Sequence, residues 1–289
     1  MATCRENWVL CFLTDFGPST AYVGVMKGVA LKNFPQCRIV DLCHVIPPQD
    51  VVNGAWELMN SYKYFPSTTV FVCVVDPGVG GSRDALAIAF PGGPVFIGPD
   101  NGLLYPSVLR EIEQGKVQPD VFVLSTKNAA SSTFHGRDVF APIGALTCAS
   151  CGVVPCSCVE RTISFADIVV REIPMVCQPS ADGFISEGIV VSIDSYGNII
   201  TSAPPPPRVY TAEERMSLRI TFTLGSKSKM EIKWYRTYAE CPETSSFFLI
   251  IGSSNTFEIS VKNGNAFKQL VAVGFNDLKV GAPVSIRVH

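Results

Sequence analysis

The chain has 289 residues, which is long for one domain, so we expect two domains. Hydrophobic residues make up 47% of the chain and charged residues 17%, a composition that excludes a largely disordered protein. The net charge of −2 argues against a dedicated nucleic-acid-binding protein, which usually carries a basic stripe.

We expect neither a signal peptide nor a membrane span. The N-terminal MATCRENWVL lacks a long apolar core followed by a small-residue cleavage site, so we expect a cytoplasmic protein. The uncharged window from Val139 to Val159 is interrupted by Pro142, Gly152 and Pro155. It therefore predicts a soluble helix followed by a loop, and no membrane partner is expected.

Apolar runs alternate with helical patterns as far as about residue 165. We predict strands in the segments WVLCFLTDF, CRIVDLCHVI, TTVFVCVVD, ALAIAF, PVFIG and DVFVLST. Helices are predicted to begin near Thr20, Asp50, Asn101 and Asp138. This alternation predicts an N-terminal α/β domain with a mostly parallel sheet over residues 1–170.

The pattern then changes, after a segment at 166–182 that we predict to be a linker because prolines and a glycine lie in or beside it. The following segments are rich in strand-forming residues, as in GFISEGIVVSIDSYGNIITS, KMEIKWYRTY and APVSIRVH. A single short helical pattern lies near NAFKQLVAV. Residues 183–289 are therefore predicted to form a smaller C-terminal β-barrel or sandwich domain.

The 11 cysteines are numerous, and without a secretory signal we expect free thiols rather than a disulfide framework. Cys148, Cys151, Cys156 and Cys158 lie close together, which leaves a zinc site as the alternative. Their C-x2-C-x4-C-x-C spacing is not the usual zinc-ribbon arrangement, so we predict no metal site. The role of this cluster stays open.

Two acidic residues follow predicted strands, where ligands gather in an open α/β sheet: Asp15 in FLTDFG and Asp76 in VVDPGVG. Either aspartate alone could equally cap a turn or a helix. The glycine-rich turn after Asp76 leads to Arg83, and the later SSTFHGRD contains His135, one of only 3 histidines. These residues are candidates for a common site.

The motifs are more specific as an ordered set. LTDFG, YVGVMKGV, IPPQDV, DPGVGGSR, GPDNGLL, TFHGRD, IDSYGN and GSSNTFEISV follow one another along the chain. Together they resemble the S-adenosyl-L-methionine (SAM) hydroxide adenosyltransferase family, the adenosine-forming SAM hydrolases, which are related to fluorinase and chlorinase. The resemblance implies an N-terminal α/β domain, a C-terminal β domain, and a homotrimer whose sites lie at subunit interfaces. It also implies hydrolysis of SAM to adenosine and L-methionine without a cofactor.

The resemblance implies that Asp76, Arg83 and His135 are the catalytic residues that activate water. A carboxylate can accept a proton, a guanidinium stays charged at any working pH, and a histidine can orient water or pass a proton on. Halogenating relatives carry a tyrosine at the position of Asp76 and Tyr-Ser in place of His135-Gly136. The resemblance therefore favours a hydrolase over a halogenase.

The resemblance also implies contacts to the substrate. Asp15 matches the residue that accepts hydrogen bonds from both ribose hydroxyls, and two acceptor oxygens suit a cis-diol. Asn198 matches the residue that reads the adenine edge, and Tyr238 matches the aromatic residue that stacks on adenine. Asp194 matches the acid near the methionine ammonium, and Ser254 matches a contact to the methionine carboxylate.

Four further positions complete the predicted site. Phe134 is expected to offer backbone contacts beside the catalytic residues, and Gln49 stands where the fluorinase has a tryptophan. Thr20 stands where family members commonly have an acid that helps to hold the substrate amino group, and Tyr22 could supply a hydroxyl instead. The missing acid keeps a non-catalytic SAM-binding or adenosine-binding protein open as the alternative function.

Overall fold

A computed structural model describes residues 8–115, 117–225, 228–243 and 247–289 of the chain. The chain divides into two compact units, Met1–Glu172 and Ile173–His289. Each unit is described below by itself.

The first unit is built on a 7-stranded sheet in the order β2-β1-β3-β5-β4-β6-β7. The strands are β1 (Val9–Thr14), β2 (Arg38–Cys43), β3 (Thr69–Val74), β4 (Ala85–Ala89), β5 (Val95–Pro99), β6 (Asp120–Leu124) and β7 (Val159–Ile163). β2, β1, β3 and β5 are parallel neighbours, whereas β4 pairs antiparallel with both β5 and β6, and β7 pairs antiparallel with β6. The sheet is mostly parallel, as predicted.

The described part of the first unit contains four α-helices: α1 (Tyr22–Asn33), α2 (Val51–Ser61), α3 (Tyr105–Gly115) and α4 (Ala141–Ala149). α2 begins where the sequence predicted, because the Asp50 side chain accepts a hydrogen bond of 2.9 Å from the backbone N–H of Asn53 and caps the helix. α1 begins after Thr20, at Tyr22. α4 is preceded by a π-helical turn over Gly136–Phe140 and ends in a turn, which confirms the helix and loop predicted for the uncharged window.

The core of the first unit lies between the sheet and its helices. Fully buried side chains of the central strands, such as Leu10, Phe12 and Val72, pack with Phe140 and the apolar face of α4. Strands of a parallel sheet are covered on both faces, which explains why β3 is buried at every position. This packing holds the carboxyl ends of the paired strands β1 and β3 side by side.

The second unit contains a closed barrel. Its strands are β8 (Met175–Ser180), β9 (Gly183–Ile193), β10 (Ile199–Thr201), β11 (Ile220–Leu224), β12 (Ser228–Trp234), β13 (Phe248–Ile251), β14 (Phe257–Ser260) and β15 (Pro283–Val288). They follow the order β10-β14-β13-β12-β11-β15-β9-β8, and an additional pairing of β10 with β9 closes the barrel. Two short helices, α5 (Ala212–Ser217) and α6 (Ala266–Ala272), complete the unit.

Two sequence expectations about strands were wrong or incomplete. The predicted linker at 166–182 contains β8, which pairs antiparallel with β9 from Met175↔Gly188 to Ser180↔Gly183. β8 is an edge strand, where Pro179 is tolerated because its missing N–H would face outwards. β7, with the sequence VERTI, was not predicted at all, because its half-exposed, charged residues carry little apolar signal.

None of the helices in the described part of the chain has the length and apolar character that a membrane span requires.

Candidate active site

The first unit contains a cleft of about 380 Å³ at the carboxyl ends of β1 and β3. Predicted site residues from separate parts of the chain line this cleft together: Asp15, Tyr22, Gln49, Asp76, Phe134 and His135. Arg83 contacts both Asp76 and His135. The cleft therefore lies at the carboxyl ends of the strands, where the sequence predicted the two aspartates.

The three residues Asp76, Arg83 and His135 are in direct contact. Arg83 Nε donates to Asp76 Oδ1 at 3.1 Å, and Arg83 Nη2 donates to Asp76 Oδ2. Arg83 Nη2 also lies 3.0 Å from Nδ1 of His135. The guanidinium thus bridges a carboxylate and an imidazole that are far apart in the sequence.

The glycine-rich turn explains how these residues meet. Gly80 has a left-handed φ of 75°, and a Cβ there would lie 2.3 Å from the backbone oxygen of Ser132. Only glycine permits this close approach of the turn to the segment that carries His135. The turn thereby brings Arg83 back towards Asp76 and places His135 beside the guanidinium.

The trio is largely withdrawn from solvent. The side chains of Asp76 and Arg83 are 4% and 10% exposed, and the Arg83 guanidinium lies 5.5 Å from the centre of the Phe140 ring. A bidentate arginine–carboxylate pair in such surroundings has a fixed orientation. Each carboxylate oxygen keeps a further lone pair, so Asp76 can still accept a hydrogen bond from a ligand in the cleft.

The imidazole of His135 is held in one tautomer. Because arginine can only donate, Nδ1 of His135 must accept from Arg83, and the ring proton of the neutral form lies on Nε2. Burial is the largest influence and lowers the pKa of His135 from its usual value of 6.5; the positive charge of Arg83 lowers this pKa further. The imidazole is therefore neutral near pH 7.

Asp15 lies at the end of β1 and is oriented by a backbone contact. The backbone N–H of Gln49 donates to Asp15 Oδ2 at 2.8 Å, and Gln49 adopts a left-handed conformation with a φ of 65°. A left-handed non-glycine residue is strained, so the surrounding structure must hold it in place. Gln49 contributes to this cleft through its backbone as well as through its position in the lining.

Aromatic side chains cover one side of the cleft. Phe16, Tyr22 and Phe134 make edge-to-face contacts, with ring centroids separated by 5.5 Å for Phe16–Tyr22 and 5.1 Å for Tyr22–Phe134. Phe16 was not predicted as a site residue, although it lies within the motif LTDFG. Thr20 is exposed and outside the lining of this cleft, and its hydroxyl donates to the backbone oxygen of Phe16 at 3.2 Å.

The second unit has a pocket of about 590 Å³ that brings Asp194, Asn198 and Tyr238 together. The Asp194 carboxylate accepts hydrogen bonds of 2.9 Å from the backbone N–H groups of Tyr196 and Asn198 and from the side-chain amide of Asn198. Gly197, with a φ of 86°, allows the tight turn that these contacts close. Asp194 therefore holds the turn that orients Asn198.

Two other residues of the second unit complete the comparison with the sequence predictions. Ser254 is half-buried in the turn between β13 and β14 and lies outside the lining of this pocket. Tyr196 does line the pocket, although the sequence reading passed over it within IDSYGN. An exposed aromatic residue in a turn beside two site residues was the signal that could have identified it.

The described residues contain no group of three or more histidine, cysteine or acidic side chains arranged to hold a metal ion. Cys148, Cys156 and Cys158 of the cysteine cluster are free thiols, as expected. Cys151 is disulfide-bonded, so the expectation of a free thiol was wrong for this residue.

Comparisons with known proteins agree with both halves of this description. The N-terminal domain of SAM hydroxide adenosyltransferases matches residues 10–154, and the C-terminal domain of the same family matches residues 188–279. The (R)-S-adenosyl-L-methionine hydrolase of Thermus thermophilus is 33% identical over 288 residues, covering 95% of this chain and 98% of that protein.

Two further relatives extend this comparison. The (R)-S-adenosyl-L-methionine hydrolase of Salinispora tropica is 34% identical over 233 residues, covering 78% of this chain and 84% of that protein. The crystal structure of an uncharacterized conserved protein from Thermotoga maritima superposes with a TM-score of 0.74 at 26% identity, covering 96% of this chain and 99% of that chain. The two domains of one family match in this order, and a relative covers nearly the full length of the chain. The chain therefore belongs to the SAM hydroxide adenosyltransferase family.

Proposed function

We propose that this protein is an enzyme that hydrolyses SAM to adenosine and L-methionine. The observation that carries this proposal is the contact of Asp76, Arg83 and His135 in the cleft at the carboxyl edge of the sheet. Relatives that match most of the chain are named as SAM hydrolases. A carboxylate, a guanidinium and an imidazole in contact at a cleft favour an enzyme over a protein that only binds SAM.

The proposed reaction needs activation of water more than activation of the substrate. SAM is a sulfonium, so the ribose C5′ already carries a good leaving group, which departs as the neutral thioether of methionine. No cofactor is needed to polarise that bond. Water attacks C5′ opposite sulfur, one C–O bond forms as the C–S bond breaks, and the proton of the water passes to the enzyme.

We propose catalytic roles for the three residues in contact. Asp76 accepts a hydrogen bond from the attacking water, and the Arg83 guanidinium stabilises the negative charge that develops on its oxygen. The neutral imidazole of His135 holds Arg83 through Nδ1 and can pass a proton onward. Their burial strengthens each of these charge interactions.

We propose that the substrate contacts lie in both units. Asp15 accepts hydrogen bonds from the ribose hydroxyls, with its carboxylate oriented by the backbone of Gln49. Asn198 reads the adenine edge and Tyr238 stacks on the base. The remaining predicted contacts are those to the methionine moiety and beside the reacting atoms: Thr20, Tyr22, Phe134, Asp194 and Ser254.

We further propose a homotrimer in which the first unit of one subunit and the second unit of its neighbour share a substrate. This assembly follows from the family resemblance, and complementation between subunits provides its test. We place the enzyme in the cytoplasm, where the free thiols of this chain would stay reduced.

The deciding experiment incubates purified protein with SAM in chloride-free buffer and in chloride-rich buffer, with product analysis by chromatography. We expect adenosine and methionine in equal amounts in both buffers. A 5′-halogenated nucleoside in the chloride-rich buffer would identify a halogenase instead. Tight binding of SAM without turnover in either buffer would identify a non-catalytic SAM-binding protein.

A further inference from the structure

Tyr238 lines one side of the second-unit pocket. Its side chain contacts the outer face of β13 and β14. These strands are antiparallel, with Phe248 opposite Ser260 and Ile250 opposite Glu258. Opposed residues of an antiparallel pair project to the same side of the sheet, so these four side chains share one face. The alternate residues pack in the core of the barrel: Leu249, Phe257 and Ile259.

Glu258 is an unusual residue for this face because its carboxylate is buried. The residue is only 8% exposed. Its Oε1 accepts hydrogen bonds from the hydroxyl of Tyr238 and, at 2.8 Å, from the hydroxyl of Ser260. Glu258 takes part in no ion pair within the described residues. A buried carboxylate without a cation depends on its hydrogen-bond donors, so the contact with Tyr238 is strongly favoured.

Tyr238 is fixed at two points while part of its ring stays open. Its hydroxyl is bound by Glu258 and lies 3.3 Å from Ser260 Oγ. Its ring meets Phe248 edge to face, with centroids 5.7 Å apart and an interplanar angle of 84°. Tyr238 nevertheless remains 43% exposed and lines the pocket together with Asn198.

We propose that Glu258, together with Ser260, is a positioning residue that fixes the Tyr238 ring as the stacking surface for a purine base. This inference rests on the proposed function, because it assigns the second-unit pocket to the adenine of the substrate. The hydrogen bond at the far end of the tyrosine restricts rotation of the whole side chain before the base arrives. The tyrosine side chain then loses its conformational entropy during folding rather than during binding.

The positioning role predicts a specific kinetic signature. The adenine ring lies away from the reacting C5′, so stacking stabilises the bound substrate and the transition state alike. Loss of the Glu258–Tyr238 contact should therefore raise KM for SAM more than it lowers kcat. A residue that served only the stability of the barrel would instead reduce the amount of folded enzyme without this split.

The test measures adenosine binding by calorimetry and SAM hydrolysis by steady-state kinetics in the full-length enzyme. Glu258→Ala and Tyr238→Phe should each weaken adenosine binding and raise KM by about two- to tenfold, the fold-change that corresponds to ordering one side chain on binding. The double variant should be no weaker than either single variant, because both substitutions remove the same contact. Glu258→Gln keeps an acceptor oxygen and should stay within about twofold of the wild type.

Glu231→Ala is the matched control, because Glu231 is an exposed glutamate of the same unit that pairs with Arg219 outside this pocket. It should leave adenosine affinity unchanged. Additive effects in the double variant, or wild-type affinity in folded Glu258→Ala, would overturn the positioning role. If Glu258→Ala does not fold, Tyr238→Phe against wild type decides the matter, since it removes the same hydrogen bond and keeps the ring.

The two proposals fail in different ways. A wild-type enzyme that binds adenosine with the expected coupling, yet does not hydrolyse SAM, would contradict the proposed function and support the positioning role. A wild-type enzyme that hydrolyses SAM while the variants keep its KM would contradict the positioning role alone. Absence of adenosine binding by the wild type would overturn the positioning role outright.

Discussion

At the scale of single residues, the Asp76–Arg83 pair determines what the cleft can do. Both carboxylate oxygens face the guanidinium, so the pair is close to neutral while its atoms remain strongly polar. A ligand in the cleft therefore meets an acceptor and a donor in fixed positions. Preorganised charge of this kind is the largest contribution to catalysis in many enzymes.

The first prediction concerns Asp76. Asp76→Asn should retain SAM binding and lose about 10²–10⁴ in kcat, because an amide cannot accept the proton of water. Single-turnover kinetics and calorimetry on the same preparation measure the two effects. The neighbouring Asp84→Asn is the control, since Asp84 pairs with Arg161 outside the lining of the cleft and its loss should leave turnover unchanged. Near-wild-type turnover of pure Asp76→Asn would refute the assigned role.

The second prediction concerns His135 and pH. Burial and Arg83 lower the pKa of His135 in the folded state, so the unfolded chain takes up a proton first as the pH falls. The contribution of neutral His135 to stability is therefore present above pH 6.5 and is lost as the pH falls below that value.

Urea unfolding of the wild type and of His135→Gln measures this linkage. The measurements are made at about pH 7.5 and about pH 5, which lie roughly one unit or more on either side of the ordinary histidine pKa of about 6.5. The wild type should lose more stability than His135→Gln between the two values. Equal losses of stability in the two proteins would show that the pKa of His135 is the same in the folded and unfolded states.

At the scale of elements, α4 packs closely against the central strands at Gly144. A Cβ at Gly144 would lie 2.6 Å from Cγ2 of Val72 and 2.9 Å from Cδ1 of Leu10. Both of these side chains are fully buried, so neither can move without disturbing the core. The approach of α4 to the sheet depends on this glycine.

The third prediction compares two helical glycines. Gly144→Ala should lower the free energy of unfolding by about 1–3 kcal/mol through overpacking, despite the higher helix propensity of alanine. Gly28→Ala in α1 is the matched control, because a Cβ there meets no heavy atom within 4 Å among the described residues. It should raise the free energy of unfolding by about 0.5–1 kcal/mol. Denaturant unfolding measures both changes in the free energy of unfolding. Stabilisation by Gly144→Ala would show that the core relaxes to accommodate the added methyl group.

Sequence patterns predicted these elements unevenly. Strands β1 to β6 and the start of α2 were predicted because their apolar runs and their capping aspartate are local signals. β7 and β8 were missed because each is a half-exposed edge strand whose sequence, VERTI or MVCQPS, has no long apolar run. β2 is also a half-exposed edge strand, but the apolar residues of RIVDLC made it recognisable.

At the scale of the whole molecule, the fourth prediction concerns the assembly. If one substrate is shared between subunits, Asp76→Asn and Asn198→Ala should each have little activity at a SAM concentration below KM, where loss of the adenine contact also limits the rate. Mixing and reassembling the two variants should restore part of the activity, because some interfaces would then combine two intact halves. Activity after unfolding and joint refolding, compared with each variant treated alone, measures the effect. No recovery despite demonstrated subunit exchange would place the whole site within one chain.

The sequence by itself determined most of the strands and helices of the first unit, the membership of the chain in the SAM hydroxide adenosyltransferase family, and the identity of Asp15 and Asp76 as acids that follow strands. These features depend on hydrophobic periodicity and on motifs, which are local properties. Only the tertiary structure decided that Arg83 joins Asp76 to His135, that β9 pairs with β15 in a closed barrel, and that Glu258 binds Tyr238. Each of these contacts joins residues that do not adjoin in sequence, so it exists only once the intervening chain has packed and brought the partners within hydrogen-bonding distance.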